Sequence, residues 1–199
     1  MEVPPVTKNA PDLYLASTSP RRKELLQQIG VRFEVLRVSV EEKHRANEAP
    51  AAYVQRLARD KALAGLQCSS GTPVLGADTI GVLDDQVLEK PADEADAVQM
   101  LLAMSGRWHT VISGVAIATE QNCVSCICET TVHFAQLDEA LIRRYWLTGE
   151  PRDKSGAYGI QGKGAVFVEG IEGSYSNVVG LPLTETAQLL DQFGIAIWR

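Results

Sequence analysis

Leu13-Tyr14-Leu15-Ala16-Ser17-Thr18-Ser19-Pro20-Arg21-Arg22-Lys23 is the stretch on which the fold turns. Its first four residues form an apolar run short enough for a buried strand. A cluster of hydroxyls follows, then Pro20, which suits the first turn of a helix because an N–H there would lack an intrahelical partner. Ser19 is placed to cap that helix. Leu25, Leu26 and Ile29 give it one apolar stripe, and Gly30 ends it. A strand running into a helix is the unit of an α/β fold, and the rest of the chain repeats the alternation.

Moving outward, residues 33–38 read as a second strand and 41–47 as a polar loop. Residues 50–64 read as a helix with Tyr53, Leu57, Ala58 and Leu63 inward, and Gly65 stops it. Residues 73–83 are β-like but broken by Asp78-Thr79. Asp84-Asp85 turns the chain, and 86–89 return. Residues 93–104 form a helix with Val98, Leu101 and Leu102 on its face. Residues 108–119 and 123–136 look like two long strands joined by a polar turn. Asp138 caps a helix that ends at Thr148. Residues 155–164 are Gly-rich and irregular, 165–168 a strand, 173–177 a loop and 183–193 a closing helix. Long adjacent strands in the middle predict a mixed sheet. Residues 1–12 read as a Pro-rich, flexible lead-in and 13–199 as a single domain.

The chain has 199 residues, 45% hydrophobic and 22% charged, with a formal net charge of −6. That is the balance of a globular domain, and its acidity gives no general attraction to nucleic acid polymers or anionic membranes. No apolar run approaches the roughly 20 residues that cross a bilayer, and the first residues lack a basic and apolar leader. Cytoplasmic location is the default expectation. Cys123, Cys126 and Cys128 with His133 could be a metal set, but in a strand Cys126 and Cys128 share a face while Cys123 points the other way. A strand with small buried thiols is the simpler reading.

Several constellations could carry chemistry. Ser17 to Lys23 joins a strand end to a helix start, where free N–H groups and the helix dipole favour an anion. Three cations there oppose that dipole, so Arg21, Arg22 and Lys23 ask for an anionic ligand. Glu41-Glu42 could hold a divalent metal, though the residues alone favour a solvated acidic turn. Arg56 and Arg59 share a helix face, with Lys61 beyond them, and by themselves suggest only an exposed face. Asp78, beside Thr79 in an apolar strand, is costly to bury without a cation, a metal or a cleft. Glu89-Lys90 can lie beside it on the returning strand. Gln161 stands between Gly159 and Gly162, where a flat ligand could approach and use both its donor and its acceptor.

Taken in order, Ser17-Thr18-Ser19-Pro20-Arg21-Arg22, Glu41-Glu42, Arg59 to Lys61, Gly76-Ala77-Asp78-Thr79, Glu89-Lys90-Pro91, Ser105-Gly106 with His109, and Gly156-Ala157-Tyr158-Gly159-Ile160-Gln161-Gly162 resemble the Maf family of nucleotide pyrophosphatases. The resemblance implies a twisted mixed β-sheet flanked by helices, in two lobes around a central cleft. It implies hydrolysis of a nucleoside triphosphate between the α and β phosphates, with a divalent cation, Mg²⁺ or Mn²⁺. The position of Asp78 is that of the proton acceptor, and those of Arg21, Thr79 and Gln161 bear on substrate choice. Arg21 with Gln161 is similar to the branch acting on dTTP and UTP, whereas a 7-methyl-GTP branch carries Trp at the place of Arg21. Within that picture Ser17, Arg22, Lys61 and Lys90 bind phosphates, Glu42 and Asp78 hold the metal, and a homodimer follows by analogy. The competing readings are a non-catalytic nucleotide-binding regulator of cell division and a purine triphosphatase. Ser113-Gly114, where Thr-Gly is common in the family, reads as a departure outside the cleft.

Overall fold

The computed structural model describes residues 10–198. Residues 1–9, most of the expected lead-in, lie outside that range; of its end, Ala10 and Asp12 meet the Arg32 guanidinium, each at 2.9 Å. One seven-stranded sheet organises the chain, in the order β2 (Phe33–Val35), β1 (Leu13–Leu15), β3 (Val74–Leu83), β5 (Trp108–Ala118), β6 (Cys123–Phe134) and β7 (Val168–Glu172), with β4 (Gln86–Leu88) paired to β3. The contacts of β1 with β2 and β3 are parallel and the others antiparallel, so the sheet is mixed as expected.

Helix α2 (Pro50–Leu66) covers one face. Its Tyr53, Val54 and Leu57 pack on Ile80, Val82 and Ile112. The main core lies on the opposite face, under α1 (Pro20–Gln28), α3 (Glu94–Met104), α4 (Glu139–Leu147) and α6 (Leu183–Gln192). Two sheet glycines let α2 approach closely. A Cβ at Gly76 would lie 2.3 Å from the Ala58 carbonyl oxygen, and one at Gly114 would lie 2.6 Å from that of Val54. Any side chain at either position would lift α2 off the sheet.

The pairing of β3 creates the cleft. One edge of β3 pairs with β5 from Val74 to Val82. The other edge pairs with β1 only at Val74 and Leu75, and with β4 only from Gly81 to Leu83. Among the described pairings, the edge between them, residues 76–80, carries no strand. The sheet is therefore split there, with the β1–α1 turn on one bank and the end of β4 on the other. The split gives the two-lobed arrangement a physical basis: side chains from both faces of β3 reach one gap.

Several local expectations are corrected. The second strand stops at Val35, not at residue 38. Gly65 does not end α2: it lies within the helix, which packs there so tightly that a Cβ would come 2.7 Å from Val74 Cγ1. Leu63 is 40% exposed, because the buried stripe runs through Lys61, Ala62 and Gly65 instead. Leu102 is likewise exposed, one helical step off the Val98–Leu101 stripe. Asp78-Thr79 does not interrupt β3, since their backbones pair with Gly114 and Ser113. Residues 163–167 form a 3-10 turn and the strand begins at Val168. The expected loop at 173–177 contains most of a short helix, α5 (Tyr175–Val179), whose Ser174 side chain accepts from the Asn177 N–H.

Candidate active site

Asp78 and Thr79 are consecutive in β3, so they project to opposite faces of the sheet at the split. On the α2 face, Lys61 Nζ lies 2.6 Å from Asp78 Oδ1 and 2.7 Å from Glu42 Oε1. Lys61 is buried, and the close approach of α2 at Gly76 is what brings it there. A buried ammonium between two carboxylates avoids the penalty of a lone buried charge. Each carboxylate contributes one oxygen to the pair and keeps the other for a further partner. Burial would raise the Glu42 pKa, but the Lys61 hydrogen bond and the charges of Lys61, Lys90 and Arg22 hold it below its ordinary value. The Glu42 side chain is 47% exposed, so solvent screens its half of the contact.

On the other face, Arg22 is fixed by three contacts. Nε donates to the Gly180 carbonyl at 2.9 Å, and Nη1 and Nη2 donate to Ser17 Oγ and Thr79 Oγ1, both at 3.2 Å. Burial lowers the Arg22 pKa, while Asp78 acts to raise it. Arginine has five N–H groups, so the fork keeps capacity for an anion. Thr79 Oγ1 lies 2.8 Å from Ser113 Oγ, and Ser113 Oγ lies 3.3 Å from the Asn177 carbonyl oxygen. A carbonyl only accepts, and a guanidinium only donates. Thr79 Oγ1 also lies 3.3 Å from the Gly180 carbonyl oxygen, so its single proton has two acceptors within reach, while Arg22 donates to it in either case. Ser113 is fully buried and touches a cleft residue, which corrects the expectation that it stands apart from the site. The register that sets Ser113 opposite Thr79 belongs to the fold and left no local signal in the sequence. Ser19 also differs from expectation: its side chain caps nothing in α1, and its N–H instead meets Ser17 Oγ at 3.2 Å.

These groups line one cleft of about 390 Å³, within the range of small-ligand sites. Ser17, Arg21, Arg22, Glu42, Lys61, Asp78, Thr79, Lys90 and Gln161 all border it, so these candidates come to one place, without Lys23 and Glu41. Arg56 and Arg59 do not. Arg56 forks onto Glu48 at 2.6 and 2.7 Å, and Arg59 donates to the Cys123 carbonyl at 2.8 Å. At the far end, burial would raise the Asp153 pKa, but the Lys154 hydrogen bond and the charges of Lys154 and Arg21 hold it down. Tyr158 also borders the cleft, and its hydroxyl lies 2.9 Å from His109 Nε2. His109 Nδ1 has no partner among the described residues. Burial lowers the His109 pKa to about 4.

The donor set suits a hard divalent cation. Glu42 and Asp78 meet at the Lys61 ammonium, and Mg²⁺ is commonly held by one or two carboxylates with substrate phosphates completing the shell. Among the described residues no three His, Cys, Asp or Glu side chains form a metal cluster, the thiols included. Cys126 packs against the main core and Cys123 against the Ala58–Ala62 side of α2, so the thiols divide between the two faces of β6. No helix among the described residues is long and apolar enough to cross a membrane.

Comparison with known proteins bears on the chain as a whole. Residues 12–193 match the family model described as Maf-like protein. A protein from Saccharophagus degradans named dTTP/UTP pyrophosphatase is 54% identical over 195 residues, covering 96% of this chain and 93% of its own. Proteins of the same name from Vibrio cholerae and Aliivibrio fischeri are 56% and 54% identical, each covering 91% of this chain and 97% of its own. A family match that spans the whole split sheet, with relatives more than half identical almost end to end, shows that this chain belongs to the Maf family.

Proposed function

We propose that this protein hydrolyses dTTP and UTP to the nucleoside monophosphate and pyrophosphate. The observation that carries the reading is Asp78, whose carboxylate stands in the split of the sheet, bound to Lys61 on one oxygen and next in β3 to Thr79, which Arg22 holds. The names of the relatives give the same substrates.

Arg22 and Ser17, already joined at 3.2 Å, grip the phosphate chain from the α1 side, and Lys90 closes on it from the β4 side. Lys61 uses two of its three N–H groups on Glu42 and Asp78, so its main service is to hold both carboxylates in register, with one donor left for a phosphate oxygen. Mg²⁺ or Mn²⁺ bound by Glu42 and Asp78 would supply charge neutralisation on the phosphate oxygens. Asp78 takes the proton of the attacking water as the new O–P bond forms at the α phosphorus. The bond to the β phosphate breaks, and pyrophosphate leaves with its charge met by Arg22 and Lys90. Arg21 and Gln161 border the other end, where the pyrimidine would sit, and Gln161 can match its carbonyl and N–H edge. The same reading takes residues 13–199 as one catalytic domain acting as a cytoplasmic homodimer.

The test is a panel of natural triphosphates and 7-methyl-GTP with Mg²⁺ or Mn²⁺, with pyrophosphate and orthophosphate measured separately. The expected result is pyrophosphate without orthophosphate, and higher kcat/KM for dTTP and UTP than for dATP, dGTP or 7-methyl-GTP. Stepwise orthophosphate, or no turnover of any triphosphate, would overturn the reading.

A further inference from the structure

The segment that carries Gln161 is wrapped around a single carboxylate. Glu150 follows α4 and stands outside the motifs noted above. Its Oε1 accepts from the Tyr145 hydroxyl at 2.8 Å and from the Gly164 N–H at 3.1 Å, and its Oε2 accepts from the Lys163 N–H at 2.9 Å. The Tyr145 oxygen in turn accepts from the Gly159 N–H at 3.1 Å. Backbone amides on both sides of Gln161 are thus tied, directly or through one hydroxyl, to one side chain. Burial would raise Glu150, yet the Lys163 and Gly164 amides and the Tyr145 hydroxyl hold its carboxyl below the ordinary value.

The two glycines flanking Gln161 belong to the same arrangement. A Cβ at Gly162 would lie 2.4 Å from Glu150 Oε2, and one at Gly159 would lie 3.3 Å from Glu150 Oε1 and 2.9 Å from Lys154 Cε. Their missing side chains make room for Glu150 and Lys154, a structural reason for these glycines beside the expected approach of a flat ligand. The backbone closes on the carboxylate from both sides, and Gln161 is left exposed at the bend, bordering the cleft.

We infer that Glu150, with Tyr145, is a positioning residue for substrate selection: it fixes the bend that presents Gln161 to the base without touching substrate itself. The inference rests on the reading of Gln161 as the base-facing residue. In Glu150→Gln the amide oxygen can still accept from Tyr145 and Gly164, but an NH₂ replaces the oxygen that faces the Lys163 N–H, and two donors then oppose each other. Tyr145→Phe keeps the ring, which packs on Phe167 at 4.9 Å, and removes only the hydroxyl between Gly159 and Glu150.

The experiment measures kcat/KM for dTTP and for dGTP, together with Tm, in the full-length wild type, Glu150→Gln, Tyr145→Phe and Gln161→Ala. The expected result is a dTTP/dGTP ratio lowered about five- to tenfold in both positioning variants, as the loss of one hydrogen bond implies, through KM for dTTP more than through kcat. Tyr145→Phe carries the test alone if Glu150→Gln does not fold. A lowered Tm with an unchanged ratio in a folded positioning variant, while Gln161→Ala collapses the ratio, would overturn the inference and leave the base-facing role of Gln161 standing. An unchanged ratio in Gln161→Ala would overturn that role, and the inference with it.

Discussion

The Asp78 end and the Gln161 end of the cleft are built in opposite ways. Asp78 and Thr79 stand on a central strand paired along one whole edge, and Lys61 stands on a helix pressed against that strand through Gly76 and Gly114. The side chains there are held by one another: Lys61 by two carboxylates, Arg22 by two hydroxyls and a carbonyl. Gln161 stands on a segment of 3-10 turns and bends, and its place depends on backbone amides gathered by Glu150. The difference teaches where each task can reside. Bond cleavage needs charges fixed within a fraction of an ångström, which sheet and helix provide, whereas base selection needs an edge to hydrogen-bond, which a well-tied loop provides. Changes at the first end should then alter turnover of every substrate alike, and changes at the second should alter the choice among them.

The largest effect is expected at Asp78. Asp78→Asn keeps the shape and removes the proposed proton acceptor, so turnover should fall by about 10² or more with every triphosphate, while circular dichroism stays unchanged. Near-normal turnover would place the base elsewhere. Arg22→Ala should follow, because it deletes charge-assisted contacts worth about 1.5–3 kcal/mol, or roughly ten- to a hundredfold in kcat/KM. A substrate-dependent loss in Arg22→Ala would blur the division between the two ends.

The Asp78 end was the more legible in the sequence, and for a physical reason. A carboxylate inside the apolar run of β3 and cations at the start of α1 each break a local rule, and such breaks mark sites. What periodicity could not show was the pairing. The inward turn of Lys61 in place of Leu63 depends on Glu42 and Asp78, which are distant in sequence. The burial of Ser113 beside Thr79 depends on the register of β3 with β5. The Gln161 end announced only its glycines. Glu150 was hidden because a carboxylate just after a helix is ordinary in sequence, and only the fold shows amides converging on it.

Two smaller effects sharpen the comparison. His109 sits behind Tyr158 and is buried neutral, with its pKa near 4 against an ordinary 6.5. Between those values the unfolded chain binds the proton and the folded protein does not. Stability should therefore be full above pH 6.5 and fall as pH drops, by roughly 1.4 kcal/mol per unit, until the folded value is reached. Tm measured from pH 7 to 4.5 should show this slope, and His109→Phe should flatten it; an equal slope in the variant would assign the acid sensitivity to other groups. Ser113→Ala removes the hydroxyl 2.8 Å from Thr79 Oγ1 and leaves the Gly180 carbonyl, at 3.3 Å, as the other partner that orients it. It should lower kcat/KM by a few-fold for all substrates, the scale of one neutral hydrogen bond, and Ser113→Thr should restore it. No change in Ser113→Ala would show that the Gly180 carbonyl alone suffices to orient Thr79 toward Arg22.

The most direct measurement compares Arg22→Ala and Gln161→Ala side by side, with kcat/KM determined for dTTP, UTP and dGTP and pyrophosphate as the product followed. The account predicts that Arg22→Ala lowers all three by a common factor and preserves their ratios. It predicts that Gln161→Ala narrows the pyrimidine preference while pyrophosphate remains the product. A uniform loss across all three substrates in Gln161→Ala, or a change of preference in Arg22→Ala, would contradict it.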